Sequence, residues 1–158
     1  MNRFLALIAA FAALAVVVAG CGDSDESTTD SGASLTKAEF IKQGNALCAV
    51  GNKKIENGFG KFAKENNLSQ NQEPSKAELK EASEDILIPA VSNQIDELRA
   101  LGTPEGDEGE VDELLTNAEE VLEEGEEDPL SLTNEDAGGF SEVNKEARAY
   151  GLTVCGEE

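Results

Sequence analysis

Histidine and tryptophan are both absent from this 158-residue chain, and methionine occurs once, as Met1. Without imidazole there is no His-based triad, no His general base, no HExxH zinc site and no His-ligated haem. Bases are scarce as well: 12 Lys and Arg stand against 33 Asp and Glu, a formal charge of −21. A face that neutralises a phosphate backbone cannot be assembled on so acidic a chain, so nucleic acid is not an expected partner. Aromatics are limited to six Phe and one Tyr. No alternating run, hairpin dipeptide or internal repeat announces a strand. One domain is the expected content at this length.

What is present begins with residues 1–20, a single cation at Arg3 followed by an uncharged apolar run from Phe4 to Ala19. That is the layout of a secretory signal, slightly short of the ~20 apolar residues that span a bilayer. The quartet Val18-Ala19-Gly20-Cys21 then follows, and it resembles the lipobox of bacterial lipoproteins. In that family the Cys thiol receives diacylglycerol and the signal is cut just before it. The resemblance implies lipidation at Cys21 and anchoring at the extracytoplasmic face of the cell membrane. An ordinary signal peptide, or a signal anchor, with an incidental Cys is the other reading. No Arg-Arg pair precedes the run, which favours the general secretion route.

Cleavage before Cys21 leaves 138 residues with all the acids and 11 of the bases, a charge of −22 with neither Met nor His. Metal ligands are then restricted to thiols and carboxylates. Residues 22–34, GDSDESTTDSGAS, hold four acids and no apolar residue beyond Ala33. They cannot bury enough surface to offset their ordering entropy, and 21–35 reads as an acidic, disordered linker. Asp23 and Asp25 lack the remainder of a calcium loop. No metal or cofactor is expected.

The folded part, 36–158, reads as helices. Thr36-Lys37-Ala38-Glu39 is a capping box, and Phe40, Ile41, Gly44, Leu47, Cys48, Gly51 and Ile55, continued by Phe59 and Phe62, form a stripe over about 37–66. Lys42, Lys53 and Lys64 lie on the opposite side and read as a solvated face. A second box at Ser75–Glu78 opens a helix whose apolar positions run from Leu79 to Leu101, with Gly102 as C-cap. Pro89 inside it predicts a kink or short break near Ile88. A third helix over about 108–124 carries Val111, Leu114, Leu115, Ala118 and Leu122, stopped by Gly125. After a loop over 126–134, a last helix over about 135–150 ends at Gly151. The expected fold is all-α, a small up-down bundle of three to four amphipathic helices.

Charge is unevenly spread. Residues 36–66 hold six Lys and three Glu, whereas 100–144 hold 16 acids and no base. A mildly basic first helix and an acidic third helix suit each other as neighbours, and the remaining acids, Glu113, Glu119, Glu120, Glu123 and Glu124, are the candidate interaction face for a cationic partner or cations.

Three cysteines become two once Cys21 is assigned to lipid. Cys48 on the apolar face of the first helix and Cys155 beyond the last helix are expected to form a disulfide in an oxidising compartment. A redox or nucleophilic role is disfavoured, because no C-x-x-C and no His is present to lower a thiol pKa. AEFIKQGNALCAVGNKKI and the terminal ARAYGLTVCG together resemble the paired ends of small exported or lipid-anchored proteins of actinobacterial type. That resemblance covers about 30 of the 158 residues. It implies helical structure and a surface location, and transfers no catalytic residue.

The expected function is a non-enzymatic binding or accessory module of the envelope, working through the acidic 105–128 region or a groove between helices. The alternative is a structural or spacer lipoprotein whose acidity serves solubility. Catalysis stands third, since only a carboxylate pair remains for acid–base work.

Overall fold

The chain is described here from a computed structural model, which describes residues 35–69, 73–133 and 139–157. The expected signal, Cys21 and the expected linker up to 34 lie outside them.

Helix α1 runs Lys37–Glu65. Thr36 donates its backbone N–H to Glu39 Oε2 (3.0 Å) and accepts the Glu39 N–H on Oγ1 (3.3 Å), so the expected capping box is formed. The Thr36 hydroxyl also donates to Glu39 Oε2 (2.6 Å), and this bond, followed by the one from the Thr36 backbone N–H, holds the Glu39 carboxyl below its ordinary range. The inward stripe begins as expected with Phe40, Gly44, Cys48 and Gly51 buried, then departs from it. Phe59 is 38% exposed, and Gly58 takes the inward position: a Cβ there would stand 2.5 Å from Ile86 Cγ2. At ~100° per residue Phe59 lies about a quarter-turn from Gly58 and off the buried side.

Helix α2 covers 76–100 in three continuous parts: α-helix Lys76–Ala82, a π-helical turn Ser83–Leu87, and α-helix Ile88–Ala100. Its capping box at Ser75 and Glu78 is formed, and Gly102, at φ 77°, lies just beyond its end. Pro89 therefore produces no break. Proline has no N–H and its ring crowds the carbonyl one turn back; the wider π turn absorbs both, with the Ile88 N–H reaching back to Ser83 O.

Helix α3, Glu108–Glu127, runs straight through Gly125. A glycine stops a helix by adopting positive φ, and Gly125 does not. It is instead the flat spot against which Leu132 packs, with Leu132 Cδ1 only 2.4 Å from where a Cβ would be. A 3₁₀ turn, Ser131–Thr133, follows. Helix α4 is Ser141–Tyr150, shorter at its start than expected, because Gly139 holds φ 39° and Phe140 is the N-cap. Its end is as expected: Gly151 sits at φ 114°, and the Leu152 N–H reaches Ala147 O (2.8 Å).

These four helices make a small all-α bundle whose core joins Phe40 and Cys48 of α1, Ile95 and Leu98 of α2, Val111 to Leu122 of α3, and Val143, Ala147 and Tyr150 of α4. Helix α2 packs against both α1 and α3. Among the described residues the expected pairing of a basic α1 with an acidic α3 is met only at Lys37, whose Nζ lies 3.2 Å from Asp107, the N-cap of α3, and 3.6 Å from Glu110.

Candidate functional site

Cys48 and Cys155 are joined by a disulfide that closes a 107-residue separation, with Cα atoms 4.9 Å apart. Around it α1 presents amides one turn to either side. Asn45 Nδ2 donates to Gly151 O (3.0 Å) while Asn45 Oδ1 accepts the Val154 N–H (2.8 Å), and Asn52 Nδ2 donates to Val154 O (3.0 Å). Arg148 adds a hydrogen bond to Gly156 O. Residues 151–156 thus lie along α1, clasped by one covalent and several polar links. The two asparagines escaped sequence reading because their partners lie more than 100 positions away; their spacing from Cys48, three and four residues, was the only local sign.

At the other end of α1, Tyr150 gathers three elements. Its ring stands edge-on to Phe40 (6.0 Å, 84°) with Lys37 Nζ 4.0 Å from its centroid. Its hydroxyl donates to Asp107 (3.1 Å). Burial, followed by that neighbouring carboxylate, pushes the phenol above its ordinary range.

The five acids of the candidate face do not lie together. Arg99 of α2 bonds Glu119 through Nε and through Nη2 (2.7 Å), and reaches Asp112 (3.2 Å). This fork holds the Glu119 carboxyl below its ordinary range. Glu119 is therefore neutralised on the flank turned to α2. Glu120, Glu123 and Glu124 line a shallow depression of about 260 Å³ with Glu127. Glu113 lies beside Glu110, Glu146 and Tyr150. At ~100° per residue Glu113, Glu120 and Glu124 fall on one stripe, and Glu119 about 120° from it. Among the described residues none of Glu113, Glu120, Glu123 and Glu124 has a Lys or Arg within 4.0 Å. The same residues contain no group of three or more Cys, Asp or Glu placed to hold a metal ion.

None of the described Asp or Glu is buried. No helix among the described residues is long and apolar enough to cross a membrane. The chain matches no protein-family model, and no curated protein or solved structure matches it.

Proposed function

We propose that this chain is a lipid-anchored, non-enzymatic binding or accessory module, held through Cys21 at the extracytoplasmic face of the cell membrane, that recruits a basic segment of an envelope protein along the free flank of α3. The observation that carries the reading is the division of the α3 acids. Arg99 neutralises Glu119, and the stripe through Glu113, Glu120 and Glu124 keeps its charge without a base of its own. An unneutralised stripe of one sign raises the encounter rate with a cationic partner and weakens with salt.

Two measurements test it. Mass spectrometry of protein from membranes should show a mature chain beginning at a diacylglyceryl Cys21; an unmodified Cys21 overturns the anchor. Pull-down from envelope extracts should recover a partner that is lost when Glu113, Glu120, Glu123 and Glu124 are changed together to Gln, and retained with Glu119→Gln. If all three proteins recover the same material, or none recovers any, the spacer role replaces the recruiting one.

A further inference from the structure

The bundle encloses a cavity of about 180 Å³ against the Cys48–Cys155 bridge. Every helix contributes to its wall, with Ile55 of α1, Val91 and Ile95 of α2, Leu115 of α3 and Val143 of α4, and Leu152 closes it from the C-terminal clasp. It opens on one side, since Asn52, Ile55, Leu87 and Glu157 also line an outer groove of about 740 Å³ that contains Lys53 and Glu56.

Size and chemistry both limit the occupant. An apolar cavity of ~150 Å³ admits benzene, so one ring or a chain of about six carbons fits, and a sterol or long acyl chain does not. Most of the wall is apolar, Phe140 included, and Asn52, Gln94, Asn144 and Glu157 are its polar members; an apolar wall does not solvate a charge. The mouth carries an amide and a carboxylate. Asn52 gives one of its two N–H groups to Val154 O and accepts from Gln94 Nε2 on Oδ1 at 3.4 Å, and Glu157 adds a carboxylate. The Glu157 carboxylate only accepts, which calls for a donor on the ligand, and two carboxylates against Lys53, on a chain of charge −21, repel an anion.

We propose that this cavity binds a small amphiphile of one ring or a short chain, its apolar body against Val91, Ile95, Val143 and the disulfide, and its hydrogen-bond-donating, uncharged or cationic head at Asn52 and Glu157. The site is independent of the α3 acids, so the two readings fail separately.

Benzylamine, benzyl alcohol and benzoate share a ring and differ in head charge, which makes them suitable probes for the intact oxidised protein. By NMR titration the amine and the alcohol should bind, with ring-to-methyl NOEs at Val91, Ile95 and Val143. Benzoate should bind at least about tenfold more weakly. Glu157→Gln should weaken benzylamine several-fold and leave benzyl alcohol unchanged, and Val91→Phe, which fills the cavity, should abolish both. The NOEs are read on the unsubstituted protein and so decide the matter even if Val91→Phe does not fold. No NOE to those methyls from any probe, or benzoate binding as tightly as benzylamine, overturns the proposal. The quadruple Gln variant of α3 should bind all three probes as the parent protein does.

Discussion

Gly44 and Gly60 both lie in α1, yet alanine should have opposite effects at the two positions. At Gly44 an added Cβ would stand 2.6 Å from Leu152 Cδ2 and 3.1 Å from Leu98 Cδ2, and Leu152 is 1% exposed on a segment tied down by the disulfide. Overpacking of about 1–3 kcal/mol exceeds the ~1 kcal/mol that alanine adds to a helix, so Gly44→Ala should lower Tm by several degrees. Gly60 has nothing within 4 Å of its added Cβ, and Gly60→Ala should stabilise by about 0.5–1 kcal/mol; thermal melts of the two variants compare them directly. Tyr150 gives a pH effect of known sign. Its phenol keeps its proton in the fold above the pH, ~10, at which an unfolded chain releases it. Stability should therefore fall as pH rises through and beyond that value, and Tyr150→Phe should flatten this decline in denaturant titrations between pH 9 and 11. Both capping boxes were legible to the residue, because their bonds close within three positions. The role of Gly44 was legible only as part of an apolar stripe, since Leu152 is far along the chain.

Among the elements, α2 departs most from its sequence. A proline inside an apolar pattern predicts a kink or short break, and the helix runs on unbroken with a wider turn just ahead of it. That turn places Ser83 at 1% exposure with its Oγ lacking a hydrogen-bond partner among the described residues. A buried hydroxyl without a partner carries a desolvation cost, so Ser83→Ala should raise stability by about 1 kcal/mol, read from the urea midpoint at unchanged m-value. A lower midpoint would show that the hydroxyl has a partner in solution. The apolar positions of α3 were legible throughout, and its end was not, because Gly125 is used for close packing rather than for positive φ. The α3 acids were legible as a charge run. Which of them faces Arg99 was hidden, because Arg99 and Glu119 are separated by a turn and lie on different helices.

For the whole molecule, the disulfide helps to offset a core with few aromatics. Changing Cys48 and Cys155 together to Ser should cost about 4–5 kcal/mol for a loop of 107 residues in the chain-entropy account, measured by chemical denaturation. This pairing was legible from cysteine arithmetic once Cys21 was set aside. The central cavity was not, because it arises where four helices and the clasp meet, and no local pattern encodes a gap between elements.

The covalent link between α1 and the C-terminal segment also governs how the protein tolerates proteolysis. Any single peptide bond cut between residues 49 and 154 falls inside the ring that Cys48 and Cys155 close. The two fragments then stay joined. A nicked molecule should migrate as one species without reductant and separate into two with it, retaining its acidic helix on the same covalent body as α1 despite the cut.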